Sequence, residues 1–240
     1  MKKNNPVLLL LVWMSCCWIP QKAEAQLEVF LDFLIYDYGL LFGFEDEPGV
    51  YDIDFAEYPY ELEDRGLYLY PEDAGRQSNV YFNLHFQSNE DNLNGAFFQF
   101  KYSPVSVLTL DLNHLHLFET LSDGEHISVS FTNFTAQYNR LRGARAHFWW
   151  GLGLTYAKEE GFDGEWGSSL GVGTTLYLKK PLSLYGDFKL NYFVEDLPFT
   201  PVSDVRLQVH LKRFLVYAGF QHIGGIYDWT TWSMGMGFYF

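Results

Sequence analysis

Cysteine is absent from the chain after Cys17, and Cys16 and Cys17 are the only two it has. Disulfides and thiolate chemistry are therefore excluded from everything downstream. A transmembrane helix is lacking as well. The apolar run from Pro6 to Ile19 is too short to span a bilayer, and Leu27 to Phe44 is interrupted by Glu28, Asp32 and Asp37, each costing roughly 2.5 kcal/mol or more in lipid. Basic residues are scarce, 16 against 30 acids, for a net charge of −14. No basic patch exists for nucleic acid to bind, so nucleic acid is not an expected partner.

What the chain does have is apolar and aromatic content, 48% and 19% of its residues. Without a spanning helix, that surface needs another place. Lys2 and Lys3, the apolar middle from Pro6 to Ile19, and Ala23-Glu24-Ala25 predict a cleavable secretory signal over residues 1–25. A lipoprotein cleavage at Cys16 or Cys17 is the alternative, which Trp13 and Met14 fit poorly. An exported chain with this much apolar surface can enter a membrane only as a closed barrel, which satisfies every backbone group internally. A soluble β-sandwich is the competing architecture.

Residues 26–78 form an acidic N-terminal extension, with 14 acids against Arg65 and Arg76. Leu27 to Phe44 fits neither helix nor strand period; an interfacial helix, an extra strand and a segment packed in a barrel mouth all remain open. From Glu45 to Arg76 the chain is acidic and tyrosine-rich, with Pro48, Pro59 and Pro71, and reads as an irregular solvated segment.

From Asn79 the pattern becomes regular, and ten segments alternate apolar-out with polar-in. Val80, Phe82, Leu84 and Phe86 make the first outward face. Ile127, Val129 and Phe131 are expected on the fourth, and Leu152 and Leu154 on the fifth. Val172 belongs to the sixth, Leu184 to the seventh and Leu207 to the eighth. No proline falls inside any of the ten segments as read, which a ladder requires. The joins alternate in length and charge. Those at 88–95, 121–126, 158–167, 194–204 and 224–230 are longer and hold 12 of the region's 15 acids and one base. The tight joins, with Arg145 at the edge of one, carry seven bases and no acid. Long outer loops and short periplasmic turns produce this alternation of length. Near Asn113 and Asn133 the hydropathy slips by one residue, symmetrically about Asp123-Gly124. A paired bulge or the membrane boundary of a protruding hairpin accounts for that.

The closing stretch is Ser233-Met234-Gly235-Met236-Gly237-Phe238-Tyr239-Phe240. Ser233, Gly235, Phe238 and Phe240 resemble the β-signal that ends bacterial outer-membrane β-barrels. That resemblance covers residues 79–240 and implies recognition by the barrel-assembly machinery. It also implies contact with outer-membrane lipids and a site in the outer membrane. The fold expected is all-β, a transmembrane antiparallel up-and-down β-barrel of ten strands. Twelve strands, with two recruited from residues 27–70, and eight are the alternatives. A monomer is expected.

The inward positions supply the candidate site. Lys101, Asp111, Arg145, His147, Asp187, Lys189, Arg206 and His210 form a lumen polar network in which both charge signs are present to pair. Trp149, Tyr177, Tyr185 and Phe193 add bulk. Gly151, Gly153, Gly171 and Gly173 leave one side bare, to be filled by large side chains from across the barrel or left as a narrow cleft. No catalytic, cofactor or metal site stands out. His114 and His116 have ligand spacing without a third ligand. His222 and Asp228 share only strand number with the carboxylate–histidine rim of omptin proteases. The functional expectation is a structural or binding barrel with a largely filled lumen. A narrow pore for small solutes and a membrane-embedded hydrolase are the alternatives. Loops of about eleven residues or fewer argue against a large adhesive surface.

Overall fold

A computed structural model describes residues 53–62, 65–69, 75–90, 92–120, 126–193, 199–225 and 227–240. The predicted signal, the Leu27–Phe44 segment and the Asp123-Gly124 turn lie outside these. The chain divides into two compact units, Met1–Asp46 and Glu47–Phe240, and all described residues belong to the second.

Ten strands form it: β1 (Asn79–Ser88), β2 (Leu93–Val105), β3 (Leu108–Thr120), β4 (His126–Arg142), β5 (Ala146–Glu159), β6 (Glu165–Lys179), β7 (Leu182–Phe193), β8 (Thr200–Leu211), β9 (Phe214–Ile223) and β10 (Trp229–Tyr239). Each pairs with its chain neighbour, and β10 returns to β1, closing an up-and-down antiparallel barrel. The closing ladder runs from Tyr81 opposite Tyr239 to Ser88 opposite Trp232. The Phe240 amide extends it by donating to the Val80 carbonyl at 3.0 Å. Among the described residues, no strand of the barrel keeps an unpaired edge for another chain to pair with.

Alternation sets the two faces. Phe86, Leu152, Leu154, Leu207, Met234 and Met236 are exposed outside, while Asn83, Asp111, Thr135, Thr155, Ser183 and Asn191 are buried inside. An apolar exterior on a polar interior inverts the ordinary soluble arrangement and is the surface of a transmembrane barrel. The residues of the closing motif divide the same way. Ser233 is buried, Phe240 is exposed, and Phe238 packs between Phe214 and Phe240 at ring separations of 4.6 and 4.5 Å. Gly235 permits a close approach, because a Cβ there would sit 2.6 Å from the Tyr217 hydroxyl oxygen.

Three details differ from the sequence reading. First, β3 and β4 pair without a register shift from Leu108–Tyr138 to Thr120–His126. The symmetric slip is therefore not a bulge. Backbone parity continues, and the hydropathy inverts instead. Leu115, Leu117, Val129 and Phe131 point inward and are buried, contrary to the expected outward placement of Val129 and Phe131. His114, His116, Ser130 and Thr132 take the outside, where His114 Nδ1 meets Thr132 Oγ1 at 2.9 Å and His116 Nδ1 meets Ser130 Oγ at 2.8 Å. This is the boundary of a hairpin that rises beyond the apolar belt. Second, the strands run further than expected, so the long-end joins shrink to 89–92, 121–125, 160–164, 194–199 and 224–228. Two prolines consequently lie inside strands. Pro104 occupies the register shift between Tyr102 and Val105, and Pro201 is the second residue of β8. Both are places where the ladder tolerates a missing donor.

Third, much of the described part of the acidic extension is buried rather than solvated, although Leu62, Gly75, Gln77 and Ser78 are exposed. Phe55, Ala56, Tyr60, Tyr68 and Leu69 are each at most 3% exposed. They fill the barrel mouth at the short-turn end, because the segment bonds to three turns there. The Gly66 amide donates to the Ala144 carbonyl at 2.7 Å. The Tyr60 hydroxyl donates to the Leu182 carbonyl. Arg213 donates to Glu57 Oε2 at 2.5 Å, and Arg76 to Glu57 Oε1 at 2.8 Å. The Arg213 hydrogen bond holds the Glu57 carboxyl below its usual range, against some desolvation and with further help from the Arg213 and Arg76 charges.

The face assignment is open to direct test. Leu152→Arg or Val172→Arg, near the middle of the apolar belt, should lower the stability of the folded barrel in vesicles by about 2–4 kcal/mol. Ser130→Arg, on the polar exterior of the rising hairpin, should change it far less. Equilibrium unfolding in urea measures both, and equal losses would refute the assignment.

Candidate functional site

The barrel interior is stacked in layers from the short-turn end upward. At the base, His210 meets Ser183 Oγ at 2.7 Å and lies against the plug residue Tyr60, 5.4 Å between rings. His147 meets Asn139 Oδ1 and the Tyr68 hydroxyl, both at 3.1 Å. Both expected histidines are thus held by the barrel wall and the plug together.

Above them comes the charged layer. Asp111 is fully buried and accepts from Gln99 Nε2 at 3.0 Å and Gln137 Nε2 at 2.9 Å. Lys101 and Lys189 stand 3.9 and 3.7 Å from it, and Lys189 also lies 3.8 Å from Asp187. The Tyr185 hydroxyl donates to Asp187 at 2.8 Å. A carboxylate taken out of water needs this density of donors, since an uncompensated buried charge costs several kcal/mol. The β2–β3 and β7 ladders place these groups at a common height, with Lys101 directly opposite Asp111.

Arg206 pairs with an acid outside the expected network. Its Nε donates to both oxygens of Asp204 at 2.9 Å. Its guanidinium carbon lies 4.9 Å from the ring of Tyr217 and 5.2 Å from those of Tyr185 and Phe97. Asp204 had been read as part of an acidic loop. Yet 204, 206, 208 and 210 share one strand parity, and that spacing is the signal that places Asp204 inside. Arg145 is the one expected lumen residue that the fold leaves out: it sits in the β4–β5 turn and is exposed. Arg142 is buried in its place and donates to Ser106 Oγ at 2.8 Å.

The β6 half of the bare glycine side is filled, though not from across the barrel, while Gly151 and Gly153 lie close against β4. Trp149, wholly buried on the neighbouring strand, lies flat against the β6 half. A Cβ on Gly173 would fall 2.5 Å from the indole, and one on Gly171 3.2 Å. Lys101 Nζ rests 5.5 Å from the Trp149 ring and 5.4 Å from that of Tyr185. The middle of the lumen is therefore occupied by interlocked side chains.

A small cavity of about 30 Å³ lies above the charged layer. Asn113, Asn133, Asn191 and Gln221 border it together with Asp187, Lys189 and Asp204. Asn113 Nδ2, Asn133 Oδ1, both amide atoms of Asn191 and Gln221 Oε1 are buried without a protein partner. Buried amides are ordinarily bonded, to protein or to water, so this polar wall is suited to holding water. Above it Leu93, Phe97, Leu115, Leu117, Val129, Phe131, Phe193 and Ile223 form a dry cap, with Tyr227 and Trp229 against it.

The remaining candidates carry little chemistry. His222 Nε2 and Asp228 Oδ1 are 3.7 Å apart at the loop rim, with Asp228 open to solvent. No group of three His, Cys, Asp or Glu that could hold a metal ion occurs among the described residues.

A closed antiparallel barrel with an apolar exterior and a polar, packed lumen is the architecture of the small outer-membrane β-barrels. Among solved structures, the chain is similar to the N-terminal β-barrel domain of OprF from Pseudomonas aeruginosa, at 13% identity and a TM-score of 0.37 over 68% of this chain and 97% of that one. It is also similar to OprG from the same organism, at 10% identity and a TM-score of 0.37, covering 68% and 96%. A third is the translocator domain of the autotransporter NalP from Neisseria meningitidis, at 11% identity and a TM-score of 0.35, covering 68% and 88%. No family model matches the chain, and no curated protein matches it.

The Asp204–Arg206 pair gives a sharp energetic test. Arg206→Met leaves a buried carboxylate beside Asp187 and should cost about 3–5 kcal/mol of unfolding free energy. Asp204→Leu combined with Arg206→Met should recover most of that loss. Urea unfolding of the three proteins in the same vesicles decides it, and a double variant as unstable as the single one would contradict the pairing.

Proposed function

We propose that this protein is a small barrel of the bacterial outer membrane with a structural or binding role and a lumen closed to solutes. The observation that carries the reading is the occupied centre of the barrel, with Trp149 laid over Gly171 and Gly173 beside the Lys101–Asp111–Lys189–Asp187 chain. A dry cap above and the plug of residues 55–62 and 65–69 below close the two ends. Eight-stranded barrels are just filled by their own side chains, while open channels belong to about sixteen strands. Ten strands sit near the filled limit. Export through the signal at residues 1–25 and assembly through Ser233, Gly235, Phe238 and Phe240 fit this reading. So does an orientation with the short turns in the periplasm and the acidic loops outside.

A narrow pore is the second reading, favoured by the polar cavity beside Asn191. It requires the cap, the charged layer and the plug to move together, which weighs against it. Refolded protein in planar bilayers should give no stable conductance, whereas large ohmic steps would overturn the closed reading. Orientation is tested separately on intact cells. A cysteine at Asp163 should react with a membrane-impermeant thiol reagent and one at Lys180 should not; the reverse pattern would invert the topology.

A further inference from the structure

The two ends of the barrel differ in charge, and the short-turn end is the unusual one. Arg145 is exposed in the β4–β5 turn, Lys179 and Lys180 at the β6–β7 turn, and Lys212 at the β8–β9 turn. Large apolar side chains stand exposed directly beside them: Leu141, Leu178, Leu211 and Phe214, each 50–56% accessible. Cations placed just beyond an apolar belt sit at the height of lipid headgroups, with their stems along the acyl boundary. The bases turned toward the barrel axis are used by the protein itself, Arg142 on Ser106 and Arg213 on Glu57. Arg145, Lys179 and Lys212 are exposed at the turns themselves, at the edge of the apolar belt. The arrangement is also one-sided. The β4–β5, β6–β7 and β8–β9 turns carry the bases, and the β2–β3 turn at Ser106 and Val107 carries none.

At the opposite end the described rim is acidic, with Glu119, Glu159, Glu160, Asp163, Glu165 and Asp228 against Lys158. Among the described residues the short-turn end stays basic even with Asp54, Glu57 and Glu61 of the plug counted, so the two rims differ in sign. We propose that the β4–β9 side of the short-turn rim is a binding site for anionic phospholipid headgroups, with Arg145, Lys179 and Lys212 donating to their phosphates. Phosphate suits these side chains because each N–H donor makes a charge-assisted hydrogen bond to it. A surface Lys or Arg beside an anionic lipid surface contributes about 1 kcal/mol, or roughly a five-fold preference. The inference rests on the barrel spanning a membrane, and it adds which lipid that barrel selects.

The test uses the full chain refolded in phosphatidylcholine vesicles that contain a small fraction of spin-labelled lipid. Electron paramagnetic resonance then reads how much labelled lipid is immobilised at the barrel wall. Labelled phosphatidylglycerol should be held about five-fold more strongly than labelled phosphatidylcholine. The triple variant Arg145→Gln, Lys179→Gln, Lys212→Gln should clearly lower the ratio while its circular dichroism stays that of the barrel. Salt at about 1 M, where the Debye length is about 3 Å, should weaken the preference in the parent. A parent ratio near one, or an undiminished ratio in the triple variant, would overturn the proposal. So would loss of the preference on adding millimolar inorganic phosphate, which would make the rim a free-anion site. A chain that inserts into neither vesicle would instead remove the membrane-barrel reading on which the proposal stands.

Discussion

Closure of the backbone ladder is the constraint from which the rest of this structure follows. In hydrocarbon an unpaired amide or carbonyl costs several kcal/mol, and a sheet with edges would leave whole rows of them. The β1–β10 pairing, from Tyr81–Tyr239 to Ser88–Trp232, removes those rows. Once the sheet is closed, period-two alternation has only one use: one parity meets lipid and the other is confined to a narrow lumen. Ten strands leave a bore that side chains can fill, and they fill it. Gly171 and Gly173 admit Trp149, and Gly235 admits Tyr217.

Confinement then dictates the chemistry of the interior. Charges inside a dry wall must meet their opposites, and three acids, Asp111, Asp187 and Asp204, face three bases, Lys101, Lys189 and Arg206. Neutral amides and hydroxyls complete the shell, with Gln99 and Gln137 on Asp111 and Tyr185 on Asp187. The two kinds of contact differ in reach. The ammonium pairs stand at 3.7–3.9 Å, while the amides close to about 3 Å. The amides therefore fix the carboxylates in place, and the lysines neutralise the cluster.

Much of this was legible in the sequence, because alternation is local and strong in strands such as β1, β7 and β9. What was missed was missed for physical reasons. At Leu115 and Phe131 hydropathy stops reporting the lipid face, since beyond the belt water lies outside and the apolar cap lies within. Parity continues there while the meaning of apolar reverses. Asp204 was concealed by its neighbours, because an acid next to the acidic residues of a loop reads as loop until its strand parity with Arg206 is counted. Trp149 was seen as inward bulk, but its seat on the adjacent strand's glycines depends on inter-strand register, which no single strand encodes. The burial of Phe55, Tyr60 and Tyr68 could not be read at all, since an irregular segment has no period and its environment is supplied by turns far along the chain.

Those distant turns give the plug a place in time as well as in space. Tyr60 reaches a carbonyl 122 residues away, and Glu57 reaches an arginine 156 residues away. Every strand pairing, apart from the closing one, is between chain neighbours, so the hairpins can form in sequence with short loops to close. The plug has no such local route. Its partners lie on the β4–β5, β6–β7 and β8–β9 turns, which the curvature of the wall brings to one rim. The plug comes early in the chain, yet its seat is built from residues synthesised long after it.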